Sequence, residues 1–295
     1  MLDYKNIKTT FKALVTKTYP HGTEEELESL LPELSKDEFG NYYKIIGNNP
    51  TVMFTSHLDT YGKEEQPIKI GIKSDSNKEL IYTKGNTILG ADDKAGVALM
   101  LYMMSYNVDG LYYFFIGEEV GTIGSSKLSS IFEDVSCLKN INKCIGFDRR
   151  SDNSIITHQS KNRCCSDLFA ESLREELYNQ GLSYNLDEKG VFSDCANFMT
   201  DVSEVTNLSV GYYNEHTSEE YQDITFLEKL AKACVNINWD DLVINRKVKT
   251  ANEYLRTFEG FNYKKINKKY LNDNVKIGEF YTEDEVYAYT QRIHN

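Results

Sequence analysis

Five short clusters of polar residues could do chemistry, because each contains a histidine or a carboxylate. They are residues 56–60 (Ser-His-Leu-Asp-Thr), 90–96 (Gly-Ala-Asp-Asp-Lys-Ala-Gly), 117–121 (Gly-Glu-Glu-Val-Gly), 146–150 (Gly-Phe-Asp-Arg-Arg) and 214–220 (Asn-Glu-His-Thr-Ser-Glu-Glu). Zinc prefers these ligand types, and a carboxylate can bridge two cations. Together the clusters predict a site for two ions, which suits hydrolysis because paired ions polarise a carbonyl and acidify a bound water.

Taken singly, each cluster has an ordinary structural explanation. Paired glutamates after a strand are commonly solvated surface, and paired aspartates before a helix commonly cap it. A histidine such as His216 alone is commonly a loop residue. The prediction therefore depends on all five clusters occurring together.

The clusters need a scaffold, and the apolar patterns predict one in which strands and helices alternate. Predicted strands cover residues 38–46, 51–54, 111–116, 143–147 and 208–213, with a hairpin at 69–83 whose tip is 74–77, and predicted helices cover residues 4–17, 23–31, 95–105, 165–178 and 225–236. This alternation is typical of a layered α/β fold with helices on both faces of the sheet. Ligands bind outside the carboxyl ends of the strands in such folds, so we expect the clusters to converge there.

The composition of the chain argues against a nucleic-acid-binding protein and against a membrane-spanning protein. The chain has 295 residues, 40% of them hydrophobic, and a formal net charge of −12. An acidic surface argues against nucleic-acid binding, which requires a basic face. We identify neither a signal peptide nor an apolar run long enough for a membrane span, so a cytoplasmic location is expected. In that compartment the six cysteines are expected to be free thiols.

A change of composition after about residue 240 predicts two domains. Residues 1–240 hold all five clusters and are predicted to form the catalytic domain. Residues 241–295 are predicted to be a partly helical C-terminal extension of unknown role, rich in lysine and asparagine and then acidic and tyrosine-bearing.

At these residues the sequence resembles the di-zinc exopeptidase superfamily, which contains aminopeptidases, peptidase T, carboxypeptidase G and aminoacylases. The clusters occur in the family order, and residues 90–96 are the most specific of them. The resemblance implies a three-layer α/β/α fold with a central mixed, mostly parallel sheet. It also implies two divalent metal ions as cofactors, with zinc predicted and cobalt or manganese compatible with the same ligands.

The resemblance also implies a role for each matching residue. His57 and Asp148 would bind one ion, Glu119 and His216 the other, and Asp92 would bridge them. The peptide bond between Asp92 and Asp93 would be cis, as in the family. Asp59 would orient the His57 imidazole. Glu118 would be the general base that takes a proton from the bridging water and later passes it to the leaving amine.

The spacing of the clusters predicts a compact form without a lid domain, because a lid needs on the order of 100 residues. The predicted activity is that of an aminopeptidase acting on a small peptide. The alternatives are an N-acyl amino acid amidohydrolase or carboxypeptidase, an enzyme like glutaminyl cyclase, and a catalytically silent binding protein. The sequence leaves open whether the chain is a monomer or a homo-oligomer.

Arg149 and Arg150 directly follow a predicted ligand, which is unusual. One hypothesis is that one of them binds a substrate carboxylate or polarises an oxyanion. The other is that they neutralise surplus carboxylates at the site.

Overall fold

The computed structural model describes residues 2–75 and 77–248. It contains the strands β1 Ser35–Lys36, β2 Tyr42–Ile46, β3 Val52–His57, β4 Ile70–Ser74, β5 Glu79–Thr83, β6 Gly110–Phe115, β7 Lys143–Arg149, β8 Ser154–Ile156, β9 His158–Gln159, β10 Asn162–Arg163, β11 Asn185–Asp187, β12 Glu204–Ser209, β13 Tyr212–Tyr213 and β14 Tyr221–Asp223. The α-helices are α1 Ile7–Leu14, α2 Ala91–Ser105, α3 Ile123–Ser130, α4 Asp167–Asn179 and α5 Ile224–Asn236. Short 3₁₀ helices cover Glu24–Leu30, Phe132–Asp134, Ser136–Leu138, Asp194–Phe198 and Trp239–Asp241.

The described strands form a main sheet in the order β1-β2-β6-β3-β7-β12-β8-β11. Parallel pairs join β6 to β3, β3 to β7, β7 to β12, and β8 to β11. The pairs β1 with β2, β2 with β6, and β12 with β8 are antiparallel. With helices packed against this sheet, the predicted α/β fold with a mixed, mostly parallel sheet is confirmed.

The apolar strands bury side chains on both faces of the main sheet, because successive side chains point to opposite sides. On one face, the Phe54 ring packs against Tyr112 at 5.1 Å and against Trp239 at 5.0 Å. On the other face, Phe115 stacks on Phe198 at 5.9 Å. The strands at the centre are therefore held between two apolar layers, and their carboxyl ends are fixed in position.

Helix α2 lies against β3 and β7 and packs with α1 and α5. It is buried almost throughout, which accounts for its apolar composition on all sides. The N-terminus of α5 is capped by Asp223, whose side chain accepts from Phe226 N at 2.9 Å. Ser166 caps α4 in the same way through Phe169 N at 3.1 Å.

A second sheet has the order β13-β14-β5-β4 and contains the predicted hairpin as β4 and β5. Ser76, within the predicted tip, lies outside the described residues. The predicted strand at 208–213 is wrong, because β12 ends at Ser209 and β13 belongs to the second sheet. Gly211, with φ of 90°, makes the break, and a Cβ atom there would lie 2.7 Å from the Phe226 ring.

Two other predicted elements differ from the structure. An α-helix was predicted at 23–31, but Glu24–Leu30 form a 3₁₀ helix, which ends where Pro32 holds Leu31 in an extended conformation. The strand predicted at 38–46 begins only at Tyr42, after a turn in which Asp37 accepts from Phe39 N and Asn41 N. Helix α2 includes Ala91, but Asp92 and Asp93 have non-helical φ and ψ, so its regular part begins close to the predicted residue 95.

The compact unit that contains the main sheet, the second sheet and the two-stranded pair of β9 and β10 runs to Arg246, six residues beyond the predicted boundary. The Arg246 side chain donates to the carbonyl oxygens of Met199, Val202 and Ser203 at 2.6–2.7 Å. Its backbone N–H donates to the buried Glu204 at 2.7 Å. Residues 247–295 form the second unit, and the predicted helical character of its residues 249–295 lies outside the described part.

Replacing Arg246 by alanine is expected to destabilise the unit, because three carbonyl oxygens lose their hydrogen-bond donors. The backbone N–H of residue 246 still donates to Glu204 in this variant. We expect a loss of about 1–3 kcal/mol in the free energy of unfolding, measured by urea denaturation. Lys247→Ala is the neighbouring control, since Lys247 is exposed. Equal stability of the two variants would show that the Arg246 side chain does not stabilise the unit.

Within the described part of the chain, no separate domain is inserted between Arg149 and Glu215, where a lid would lie. The predicted compact form without a lid is confirmed. Among the described helices, none has both the length and the apolar character needed to cross a bilayer. All six cysteines are free, and five of them are buried.

Candidate metal centre

Three of the five clusters lie at the carboxyl ends of adjacent parallel strands. His57 is the last residue of β3, and the cluster at 117–121 follows β6, which pairs with β3 in parallel. Asp148 lies near the end of β7, on the other side of β3. The fourth cluster begins α2, and the fifth lies between β13 and β14 of the second sheet. The structure therefore brings together residues from both sheets.

Asp92 lies between the two histidines. Its Oδ1 atom is 3.1 Å from His57 Nε2, and its Oδ2 atom is 3.3 Å from His216 Nε2. On the first side, Asp148 Oδ1 is 3.8 Å from His57 Nε2. On the second, Glu119 Oε1 is 2.9 Å from His216 Nε2. The five predicted ligands thus form two groups that share one carboxylate.

Asp59 contacts His57 through both its main chain and its side chain. The His57 Nδ1–H donates to the main-chain oxygen of Asp59 at 3.0 Å, and an oxygen of the Asp59 carboxylate lies 3.4 Å from the same nitrogen. When the imidazole is neutral, this arrangement leaves the Nε2 lone pair for a ligand role. The Asp59 carboxylate also accepts the N–H groups of Glu118 and Glu119, each at 3.0 Å, and so fixes that turn.

Asp93 positions the site, because its oxygen atoms are already used by protein donors. It accepts from Ser56 Oγ and from the N–H groups of His57 and Gly96. The peptide bond that joins Asp92 to Asp93 is cis. Gly96 is required by close packing, since a Cβ atom there would lie 2.2 Å from the Phe147 carbonyl oxygen. These contacts explain why the cluster at 90–96 has an acidic residue at position 93 and a glycine at position 96.

Lys94, in the same cluster, is fully buried under the site. Its ammonium donates to the carbonyl oxygen of Leu58 and lies 5.5 Å from the centre of the Tyr19 ring. Burial lowers the pKa of Lys94 to about 8, although Asp59 and Asp93 oppose that shift. Lys94 therefore holds the loop after β3 and offsets part of the negative charge.

The carboxylates of the site stabilise positive charge on both histidines. Burial alone would lower the pKa of His57, but its hydrogen bonds with Asp59 and Asp92 raise it well above the usual value. Burial likewise opposes the charged form of His216, yet Asp92 and Glu119 raise its pKa to about 10. The carboxylates outweigh desolvation at both histidines, so the centre attracts cations.

Glu118 lies beside this centre in a different environment. Burial raises its pKa to about 9; His57 opposes the shift, and Asp194 and Asp92 add to it. Asp194 begins the 3₁₀ helix Asp194–Phe198, and burial raises its pKa to about 7. Its Oδ1 accepts from Ser125 Oγ, whereas Oδ2 is buried and has no hydrogen-bond partner among the described residues. A carboxylate with a raised pKa is a stronger base, and cations bound at the centre would lower this pKa toward neutral pH, where a general base is most effective.

Three positioning residues were not predicted. Asn207 binds the backbone of Asp148 twice, donating to its carbonyl oxygen at 2.7 Å and accepting its N–H at 2.9 Å. Tyr212 donates its hydroxyl to Asp148 Oδ1 at 3.2 Å. Glu220 accepts the N–H groups of Leu89, Gly90 and Asp92 at 2.7–3.1 Å. No signal in the sequence identified Asn207, because it lies outside the strand predicted at 208–213 and its burial is visible only in the structure.

Glu220→Gln is expected to destabilise the protein, because its amide NH₂ group would face one of the three N–H donors and leave it unpaired. We expect a loss of about 1–3 kcal/mol in the free energy of unfolding, measured by urea denaturation. The neighbouring Glu219 is exposed, so Glu219→Gln is the matched control. If both variants were as stable as the wild type, Glu220 would not be what holds the Asp92 loop.

The two arginines are occupied by other carboxylates. Arg149 Nη2 lies 3.5 Å from Asp187 Oδ2 and 3.3 Å from the Lys189 carbonyl oxygen. Arg150 Nη1 lies 2.9 Å from Glu215 Oε1, and its side chain is 58% exposed. Arg150 therefore links the end of β7 to the loop that carries His216.

The residues present fit divalent ions. Ligand atoms of His57, Asp92 and Glu119 lie within 4.8 Å of one another. Those of His57 and Asp148 lie equally close together, beside Asp93, whose oxygen atoms are taken by protein donors. Imidazole and carboxylate are the donors found in catalytic zinc sites. The structure therefore has acidic and histidine groups that could hold metal ions.

Comparison with known proteins gives partial sequence matches. No protein-family model matches the chain. The uncharacterized protein YqjE of Bacillus subtilis (strain 168) is 40% identical over 85 residues, which cover 26% of this chain and 22% of that protein. Peptidase T of Staphylococcus epidermidis (strain ATCC 12228 / FDA PCI 1200) is 32% identical over 118 residues, which cover 29% of each. The matches span less than a third of either relative.

Solved structures resemble the chain over most of its length. Aminopeptidase PepT from Bacillus cereus ATCC 10987 has a TM-score of 0.63 and 18% identity, covering 79% of this chain and 97% of that one. A tripeptidase from Staphylococcus aureus subsp. aureus Mu50 has a TM-score of 0.61 and 19% identity, covering 80% and 97%. The TET1 peptidase of Pyrococcus horikoshii has a TM-score of 0.59 and 14% identity, covering 78% and 98%. The predicted resemblance to exopeptidases is confirmed for the fold.

Proposed function

We propose that this chain, which has the fold of the PepT and TET aminopeptidases, is a metal-dependent aminopeptidase acting on small peptides. The observation that carries the proposal is the position of Asp92. One of its oxygen atoms faces His57 and the other faces His216, at 3.1 and 3.3 Å. A carboxylate shared in this way is what two adjacent cations require.

In this proposal His57 and Asp148 hold one ion, Glu119 and His216 hold the other, and Asp92 lies between them. Two divalent ions bound there, zinc in our proposal, would polarise the scissile carbonyl group and lower the pKa of a water molecule. The protein supplies the rest of the chemistry through side chains that are already oriented.

Glu118 acts as the general base and then as the general acid. It takes a proton from the attacking water and passes that proton to the nitrogen of the leaving peptide. Within the described part of the chain, the Glu118 carboxylate makes no hydrogen bond that would occupy it, and the Asp59 carboxylate holds its backbone in place. Glu118 and Glu119 are neighbours with different tasks, because adjacent side chains point in different directions.

The proposed preference for the amino end of a peptide rests on the named relatives, which include an aminopeptidase and a tripeptidase. We also propose a cytoplasmic location, which the six free cysteines support.

The test is hydrolysis of a tripeptide, its N-acetyl derivative and its C-terminal amide, with metal content measured on the same sample. We expect bound divalent ions, and cleavage of the free tripeptide and its C-terminal amide but not of the N-acetyl form. Cleavage of the N-acetyl form would indicate an amidohydrolase instead, and failure on the amide would indicate a carboxypeptidase. No turnover by fully metal-loaded protein would contradict the proposal.

Arg150→Ala is expected to leave the relative rates for acidic and neutral peptides unchanged. The reason is that the Arg150 guanidinium already binds the Glu215 carboxylate, at 2.9 Å between Nη1 and Oε1, so its charge is neutralised within the protein. The measurement is kcat/KM for peptides that differ only in one acidic side chain, with Arg174→Ala as a control on α4. A selective loss for the acidic peptides would instead support substrate binding by Arg150.

A further inference from the structure

His216 is the most exposed of the five proposed ligands. Its side chain is 37% exposed, whereas those of His57, Asp92, Glu119 and Asp148 are 1, 11, 8 and 12% exposed. It lies in the connection between β13 and β14 with a φ of 65°, in the left-handed region. Unlike His57, it is not fixed by the tight packing of a sheet strand.

Tyr61 lies flat on the exposed imidazole. The ring centres of Tyr61 and His216 are 4.4 Å apart, and the ring planes differ by 11°. Tyr61 directly follows the cluster at 56–60, so this contact joins the loop after β3 to the loop that carries His216. We propose that Tyr61 is a positioning residue that holds His216 in its ligand orientation, an inference that rests on the proposed metal centre.

The stacking geometry suits this role. A ring that covers the face of an imidazole limits its rotation, while the nitrogen atoms at its edge stay free to face Asp92 and Glu119. His216 Nε2 does face both of these carboxylates, at 3.3 and 2.9 Å. The phenyl ring of phenylalanine would give the same support, because the contact uses the ring face and not the hydroxyl group.

Tyr61 is 50% exposed, and a second exposed tyrosine in the described part of the chain serves as its control. That tyrosine is Tyr178, on α4, which is 71% exposed. Removing either ring is expected to leave the fold intact, because neither ring is buried.

The experiment compares Tyr61→Ala, Tyr61→Phe and Tyr178→Ala in the full chain. Metal-depleted protein is titrated with Zn²⁺ by calorimetry, and the His216 Cε1–H resonance is followed by NMR in the same metal-depleted samples. In Tyr61→Ala we expect one of two ions to bind roughly three- to tenfold more weakly. We also expect the His216 resonance to lose the upfield shift that a stacked ring causes. Tyr61→Phe and Tyr178→Ala should match the wild type in both measurements.

The outcomes separate this inference from the proposed function. If the wild type binds two ions and Tyr61→Ala binds both with unchanged affinity, the inference is wrong and the metal centre stands. A loss in Tyr61→Phe equal to that in Tyr61→Ala would also overturn it, because the hydroxyl group would then be responsible. A wild-type protein that binds no Zn²⁺ would overturn the proposed function and the inference together.

Discussion

Glu118→Gln is expected to lower kcat by about 10²–10⁴-fold, the range found when a general acid–base group is removed. Glutamine has nearly the same shape as glutamate, but its amide cannot accept the proton from water or return it to the leaving nitrogen. The Asp59 carboxylate still holds the backbone N–H groups on either side of the change. Metal content should therefore stay at the wild-type value while turnover is lost.

The neighbouring substitution Glu119→Gln provides the comparison, because Glu119 faces His216 at 2.9 Å. This variant should lose metal as well as activity. Rates are measured on the free tripeptide, and bound metal is measured by plasma mass spectrometry after dialysis. If Glu118→Gln kept wild-type kcat, the general base would have to be another residue. If it lost its metal, Glu118 would be a ligand instead.

Asp92→Asn is expected to remove at least one of two bound ions and to bring activity below detection. Asparagine presents one neutral oxygen atom, so it cannot face His57 and His216 with a charged oxygen on each side. Zinc at a hundred times Kd should stabilise the wild type by about 2.7 kcal/mol, and this gain should largely vanish in the variant. Thermal unfolding with and without zinc measures the difference.

A matched control for this change is Asp134→Asn, because Asp134 is exposed in a short 3₁₀ helix. That variant should bind zinc and gain stability as the wild type does. An Asp92→Asn protein that still bound two ions with wild-type affinity would show that Asp92 does not bridge them. The fold could stand, but the proposed arrangement of ligands would be wrong.

The sequence by itself determined the strands that carry the site and the residue types at their ends. The stretch around Phe114 is apolar on both faces, and a strand with that pattern can be stable only inside a sheet with two covered faces. The glycine and acidic residues at 90–96 likewise specify close packing and hydrogen bonds that few other residues could supply. Such features can be predicted from the sequence, because they depend on residues that are close together in the chain.

Only the tertiary structure decided which groups meet and which residues hold them. Asp92 is close to His57 and His216 because α2 lies against β3 and the second sheet brings its own loop to the same place. The support from Asn207, Glu220 and Tyr61 depends on contacts between segments far apart in the chain. Such contacts leave no periodic pattern, since each is one side chain meeting another across the fold. Sequence alone therefore predicted the candidate ligands, whereas their shared geometry and its supports required the folded chain.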